Sequence, residues 1–146
     1  MTCFTLNGKP VTSQLPASTR LSDVLRTEMG LPGTKIGCNA GDCGACSVLL
    51  DGAPICSCLT AIAQVDGAAV TSIEGLHAGG TIAKLQDSLL AYGAAQCGIC
   101  TPGMMVAASA LLAENPAPNR QDVEDALGGV LCRCTGYSKI IDAVLG

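Results

Sequence analysis

Ten cysteines dominate the chemistry that this sequence of 146 residues could perform. Apart from Cys3, they fall into two groups, within residues 38–58 and residues 97–134. The sequence has one histidine, His77, and shows no Ser/His/Asp arrangement and no paired carboxylates. We therefore expect no acid–base or nucleophilic site on this chain and interpret the thiols as metal ligands.

The first group has the spacing Cys-x4-Cys-x2-Cys, at Cys38, Cys43 and Cys46. This spacing is typical of the loop that holds a [2Fe–2S] cluster in plant-type ferredoxins. Because the cluster and its thiolates are anionic, the loop must wrap closely and aim backbone N–H groups at the sulfurs. Glycines permit that approach, since they lack a Cβ atom and can adopt positive φ. The glycines of this segment are Gly37, Gly41 and Gly44.

Two cysteines compete to be the fourth ligand of this group, Cys56 and Cys58. On a strand both would face the same side, so spacing alone does not choose between them. A short helix predicted over residues 59–63, beginning near Ser57, would place Cys58 at the positive end of the helix dipole, which favours a thiolate. We therefore favour Cys58 as the ligand, and expect Cys56 and Cys3 to be buried thiols.

The second group consists of Cys97, Cys100, Cys132 and Cys134. Its first pair directly precedes a predicted helix with Thr101 as N-cap and Pro102 at the first helical position. Its second pair lies between two further predicted helices. Helix N-termini aimed at one site favour an anionic centre, so this group also suits an iron–sulfur cluster.

Zinc bound by four thiolates is the main alternative to a cluster. Zinc sites usually pair Cys-x2-Cys motifs, which the first group does not match. A Rieske centre needs two histidines, and the sequence has one. On the residues alone, a carrier of two [2Fe–2S] clusters is favoured, and a free-standing ferredoxin-like carrier or a zinc-stabilised interaction module remain as alternatives.

The elements that must position these thiols differ between the two halves of the chain. Before residue 75, Asn7-Gly8 and Asp51-Gly52 predict two hairpins, residues 69–71 a further strand, and Ser18 or Thr19 the cap of a helix that ends at Gly30. After residue 80, four short helices are predicted, the first capped by Thr81 and the third by Asn119. The fold class is therefore α+β, with a sheet domain at residues 1–74, a linker at 75–80 and a four-helix bundle at 81–146.

Composition excludes several function classes. Charged residues make up 14% of the chain, the net charge is −4, aromatic residues reach only 2%, and Lys and Arg do not cluster, so we expect no nucleic-acid partner. The longest apolar stretch, residues 104–113, is too short to span a membrane. The first residues resemble no export signal, which predicts a cytoplasmic protein with reduced thiols. A mean hydropathy of +0.44 predicts surface covered by larger partners.

The chain resembles the small iron–sulfur subunit of the xanthine oxidase family of molybdenum hydroxylases. The stretches that carry the resemblance are residues 33–38, 41–46, 57–59, 96–103 and 132–137, which together contain both cysteine groups. The sequence departs from the family pattern at Asn39-Ala40, where the family often has a glycine and an acidic residue, and at Cys56, a position that is not usually cysteine.

This resemblance implies a β-grasp, plant-ferredoxin-like N-terminal domain and a C-terminal four-helix bundle domain. It implies one [2Fe–2S] cluster on Cys38, Cys43, Cys46 and Cys58, and a second on Cys97, Cys100, Cys132 and Cys134. It implies contacts of Gln96 and Cys134 with a molybdopterin–molybdenum cofactor held by a large subunit, and a medium subunit that holds FAD. Electrons would pass from molybdenum to the second cluster, then to the first, then to FAD or another acceptor, during hydroxylation with water.

Overall fold

The computed structural model describes residues 1–77 and 80–146, with side chains in the second stretch from Ile82 onward. The strands are β1 (Thr2–Leu6), β2 (Lys9–Ser13), β3 (Ser47–Leu50), β4 (Ala53–Cys56) and β5 (Ala69–Thr71). The α-helices are α1 (Leu21–Asp23), α2 (Ile73–Leu76), α3 (Gly80–Ala91), α4 (Thr101–Glu114), α5 (Arg120–Leu127) and α6 (Ser138–Leu145). Helix α1 continues as a π-helical turn, Val24–Glu28, and a 3₁₀ helix spans Ile62–Val65.

Both predicted hairpins are present, and their turns explain why. Asn7 and Gly8 have φ of 51° and 78°, and Asp51 and Gly52 have φ of 49° and 88°. Two consecutive positive φ angles define the tight turn that matches the twist of antiparallel strands, and Asn, Asp and Gly adopt them at the lowest cost. The turns thereby fix the registers Leu6↔Lys9 and Leu50↔Ala53.

The five strands form one mixed sheet in the order β2-β1-β5-β3-β4, with β1 and β5 parallel and the other pairs antiparallel. Apolar side chains of the sheet bury against α1 and the turn that continues it, where Leu21, Val24 and Leu25 are fully buried. This is the β-grasp arrangement. Each outer strand contains a proline, Pro10 in β2 and Pro54 in β4.

Helix α1 begins one residue later than a cap at Thr19 predicts and two later than a cap at Ser18, because Arg20 is its N-cap. Thr19 is engaged elsewhere: its carbonyl accepts the N–H of Ile62 at 2.8 Å. Arg20 also forms an isolated β-bridge with Ala61. The tertiary pairing of residues 17–21 with residues 60–63 therefore decides where this helix begins.

The second half of the chain is helical, as predicted, and α3 to α6 surround a shared apolar core. Its most buried members include Val106 of α4, Val123 of α5 and Ile140 of α6. Asn119 caps α5 through its side chain, which accepts the N–H of Asp122 at 3.1 Å. The predicted cap Thr101 is instead the first residue of α4, and Cys100 is the N-cap. The predicted cap Thr81 lies outside the residues whose side chains are described.

Helix α4 of the second half packs against β3 and β4 of the first half, so the two halves of the chain are in direct contact. The predicted linker at 75–80 includes residues outside the described stretches; of its described part, Gly75 and Leu76 belong to α2, which contacts α4. The domain limits at 74 and 81 stay a prediction. Among the described residues, none of the helices is both long and apolar enough to cross a membrane.

Candidate metal centres

The loop after α1 surrounds one sulfur with backbone donors. The N–H groups of Ala40, Asp42 and Cys43 each donate to Sγ of Cys38 at 3.3 Å. In return, the Cys38 N–H donates to Sγ of Cys43 at 3.3 Å. The backbone hydrogen bonds to its sulfur lower the pKa of Cys38 to about 7, because they stabilise the thiolate.

The conformation of this loop depends on residues without bulk. A Cβ on Gly37 would lie 2.7 Å from Sγ of Cys43, so only glycine leaves room for that sulfur. Asn39, where the family often has glycine, has φ of 57°, a region that asparagine tolerates best among non-glycine residues. The departure at this position therefore keeps the backbone conformation.

Cys46 and Cys58 form the buried part of the first site, each with 2% exposure. The Cys58 N–H donates to Sγ of Cys46 at 3.4 Å, and the Ser57 hydroxyl donates to the carbonyl of Cys46 at 2.7 Å. Burial raises the pKa of Cys58 to about 11. A bound metal would offset this, since a coordinating thiol is deprotonated.

The predicted helix over residues 59–63 is wrong. Cys58 lies in a turn, and the 3₁₀ helix begins only at Ile62. The segment turns its backbone toward residues 17–21 instead: the Thr60 carbonyl accepts from the N–H of Leu21, and the Ala63 N–H donates to the carbonyl of Ala17. The helix-dipole reason for favouring Cys58 over Cys56 therefore fails, and the remaining difference is burial, since Cys58 is buried and Cys56 is half-buried.

The two cysteines outside the proposed sets were both expected to be buried. Cys56 is half-buried, and its thiol donates to the carbonyl of Gly41 at 3.8 Å. Burial raises the pKa of this thiol. Cys3 is exposed, which contradicts the prediction, because it lies on β1 with its side chain beside Thr12 of the neighbouring strand. His77 is exposed.

The second site joins two distant segments of chain. Sγ of Cys134 lies 3.5 Å from Sγ of Cys97 at the surface. Cys100 and Cys132 are buried, each with 8% exposure, and lie close enough for each thiol to shift the pKa of the other. Burial raises the pKa of Cys100 to about 12.

Two hydroxyl groups, to which the sequence analysis assigned no role, hold Cys132. Its Sγ lies 3.0 Å from Oγ1 of Thr135, and its backbone N–H donates to Oη of Tyr137 at 3.0 Å. Burial raises the pKa of Cys132, but hydrogen bonds with Thr135, the Cys134 backbone and Cys100 together outweigh it, and the net shift is downward. Their position within five residues of Cys132 is the only sequence signal that could have indicated these partners.

Of the two helices expected to begin at this site, α4 does so and α6 does not. Cys100 is the N-cap of α4, whereas α6 begins at Ser138, four residues beyond Cys134 in the sequence. Gln96 connects the two segments, because its Nε2 donates to the carbonyl of Cys134 at 3.1 Å. Gln96, Cys97 and Cys134 are all exposed on one surface.

Both sites share one arrangement, in which thiols lie in pairs. The outer, more exposed pairs are Cys38/Cys43 and Cys97/Cys134, and the buried pairs are Cys46/Cys58 and Cys100/Cys132. Within the described ranges, no three His, Cys, Asp or Glu side chains converge where a single ion would bind. Two pairs of soft thiolates with N–H donors aimed at sulfur fit a two-iron cluster, in which each iron takes two thiolates.

Comparison with known proteins agrees with this geometry. A family model described as "2Fe-2S iron-sulfur cluster binding domain" matches residues 4–71, and one described as "[2Fe-2S] binding domain" matches residues 72–145. The nicotine 6-hydroxylase small subunit of Paenarthrobacter nicotinovorans is 45% identical over 96% of this chain and 84% of that protein. A probable xanthine dehydrogenase subunit of Bacillus subtilis is 46% identical over 94% of this chain and 79% of that protein.

Solved structures share the whole fold. Quinoline 2-oxidoreductase from Pseudomonas putida 86 superimposes with a TM-score of 0.93 at 49% identity, over 99% of this chain and 89% of that chain. Aldehyde oxidoreductase from Desulfovibrio gigas gives a TM-score of 0.90 at 44% identity, where this chain matches 16% of a much longer one.

A β-grasp domain followed by a helical domain, each with four clustered thiols, defines a protein that carries two [2Fe–2S] clusters and transfers electrons. The chain belongs to the small iron–sulfur subunits of the xanthine oxidase family of molybdenum hydroxylases. It is the electron-transfer component of an oxidoreductase complex with larger subunits.

Proposed function

We propose that Cys38, Cys43, Cys46 and Cys58 hold the first [2Fe–2S] cluster and that Cys97, Cys100, Cys132 and Cys134 hold the second. The observation that carries this assignment is the repeated arrangement of a buried and a more exposed thiol pair in each site. When bound, a [2Fe–2S] cluster accepts and releases one electron at a time. The chain's own contribution is to hold the sulfurs and to direct N–H and hydroxyl groups at them, which sets the reduction potential.

The surface of the second site supports contact with a molybdopterin–molybdenum cofactor on a large partner subunit. Gln96 and Cys134 are exposed and joined by a hydrogen bond, so an amide group stands beside an exposed ligand sulfur. We assign both residues as contacts of the pterin. Electrons enter the chain here and leave from the first site to FAD on a medium subunit, or to another acceptor.

Apolar side chains at the ligand segments support a location between partners. Leu59 follows Cys58 and is 64% exposed, Leu131 precedes Cys132 and is 55% exposed, and Ile99 is 48% exposed. Large apolar groups exposed beside a polar centre are typical of protein interfaces. The low content of charged residues, without a cluster of Lys and Arg, supports protein partners rather than nucleic acid. The free thiols support a cytoplasmic protein.

A pair of matched substitutions tests the ligand assignment. Purified holoenzyme should contain about four irons per small subunit and show two distinct rhombic EPR signals after reduction. Cys58→Ser should remove the first cluster, and therefore about half of that iron, whereas Cys56→Ser, two residues away, should keep the full amount. Equal loss of iron in both variants would contradict the choice of Cys58, and zinc in place of iron would contradict the function.

A further inference from the structure

The backbones of the two domains meet at the segments that carry the proposed ligands. Gly44 follows Cys43, and Gly103 lies in the first turn of α4, three residues after Cys100. A Cβ on Gly103 would lie 2.5 Å from the carbonyl oxygen of Gly44, where ordinary contact begins at 3.4 Å. A Cβ on Gly44 would meet the backbone of Gly129 and Val130. Neither residue therefore faces a sulfur; both allow the domains to approach.

A hydrogen bond between the domains lies at the same place. The N–H of Leu131 donates to the carbonyl of Cys43 at 2.8 Å. Leu131 is the neighbour of Cys132, so this bond joins a ligand segment of the first site to a ligand segment of the second. The close approach of the glycines and this hydrogen bond together fix how the two ligand segments lie relative to each other.

Local helix stability does not explain the glycine at position 103. Inside a helix, glycine is about 1 kcal/mol less favourable than alanine. Gly103 is buried, and a Cβ at this residue would run into Gly44, Ala45 and Val130, of which the first two belong to the loop of the first site. We therefore attribute the glycine at this position to the contact between the domains.

We infer that the contact formed by Gly44, Gly103 and the Leu131–Cys43 hydrogen bond positions the two clusters for electron transfer between them, by holding the two ligand segments against each other. This inference rests on the proposed ligand sets. With both clusters bound, one electron would pass from the second site to the first, so that the second cluster would be oxidised and the first reduced. No bond forms and no proton moves. Because electron tunnelling weakens steeply with distance, a small increase in separation slows this step.

The test is the magnetic interaction between the two clusters in holoenzyme that has been fully reduced with dithionite. Both clusters are then paramagnetic, and their dipolar splitting falls with the cube of the distance between them. Gly103→Ala must displace the Gly44 loop, so we expect a smaller splitting and slower reoxidation through the first cluster. Iron content should stay at its normal value.

Gly129→Ala is the matched control, because it lies at the same junction but its Cβ would meet nothing within 4 Å. It should keep the splitting of the unmodified enzyme. An unchanged splitting in iron-replete Gly103→Ala, or an equal change in both variants, would overturn the inference.

If Gly103→Ala loses iron, the same measurement is made on a second variant. Leu131→Pro removes the N–H donor to Cys43 and places a ring methylene against that carbonyl, while the side chain that it replaces is 55% exposed. It should also reduce the splitting, and an unchanged splitting would overturn the inference. Failure of the proposed function is distinguishable, because unmodified enzyme would then lack the iron and both EPR signals.

Discussion

Different chemical groups surround the sulfurs of the two sites. Three backbone amides donate to Sγ of Cys38, whereas the Thr135 hydroxyl lies beside Sγ of Cys132 and the Tyr137 hydroxyl accepts from the Cys132 backbone N–H. Hydrogen bonds to ligand sulfurs stabilise the additional negative charge of a reduced cluster and so raise its reduction potential. The two clusters of one chain can thereby differ in potential although their ligands are identical.

Tyr137→Phe tests the role of the hydroxyl beside the second site. The variant leaves the N–H of buried Cys132 without its partner, which costs about 1–3 kcal/mol. We expect a lower free energy of unfolding and a changed EPR signal of the second cluster, with the first signal unaffected. Unfolding by denaturant and EPR of the reduced holoenzyme measure these effects.

Tyr92→Phe is the control for this substitution, because Tyr92 is the other of the two tyrosines and is 42% exposed. It should change neither signal. A first-cluster signal that shifts as much as the second in Tyr137→Phe would show that the hydroxyl acts on the whole fold rather than on Cys132.

For individual residues, the role of the cysteines is easier to predict from the sequence than the groups that surround their sulfurs. The cysteine spacing marks a cluster-binding loop because such a loop is local. The partners of Cys132 are also near in sequence, but Tyr137, whose hydroxyl accepts from the Cys132 N–H, has a φ of 70°. A positive φ at tyrosine is not expected from its side chain, so this contact could not be predicted.

Among the elements, those determined by local turns and caps follow the sequence closely. Both hairpins and the cap at Asn119 form where they are predicted, because each depends on residues within a few positions. The predicted helix over residues 59–63 fails because that segment forms hydrogen bonds with residues 17–21, which are distant in sequence.

Asn119→Ala tests the capping of α5. Asn119 accepts from the N–H of Asp122, and the Asp122 carboxylate accepts from the N–H of Asn119 at 2.9 Å. Loss of the Asn119 side chain from this reciprocal pair should lower the free energy of unfolding by about 1 kcal/mol. Thermal or denaturant unfolding measures it.

Gln121→Ala provides the comparison on the same helix. The Gln121 side chain hydrogen-bonds Asp125 one turn along at the surface, a contact worth about 0.2–0.5 kcal/mol on a helix. A loss in Asn119→Ala no greater than in Gln121→Ala would show that the cap adds nothing to the stability of α5.

For the whole molecule, half of the exposed large apolar residues of the described chain lie within two positions of a proposed ligand: Ile36, Leu59, Ile99 and Leu131. Leu59→Lys tests whether this region is a partner interface, because it introduces a charge beside the first site, while the aliphatic part of lysine can keep the packing of Leu59 on Gly41. We expect weaker retention of a partner subunit during size-exclusion chromatography of the complex, with iron content maintained. A lysine at a buried interface must be desolvated, which is costly without a counter-charge.

Leu90→Lys is the matched control, since Leu90 is 77% exposed on α3, an element that carries none of the proposed ligands. It should leave the complex intact. Complete retention of all subunits in Leu59→Lys would place the interface elsewhere.

The prolines in the two outer strands have a consequence for how this subunit associates. Pro10 lies in β2 and Pro54 in β4, and proline offers no amide hydrogen to an incoming strand. Each margin of the sheet therefore lacks one donor that β-augmentation would use. Prolines at these positions disfavour edge-to-edge pairing between identical copies of the subunit before they join the larger enzyme.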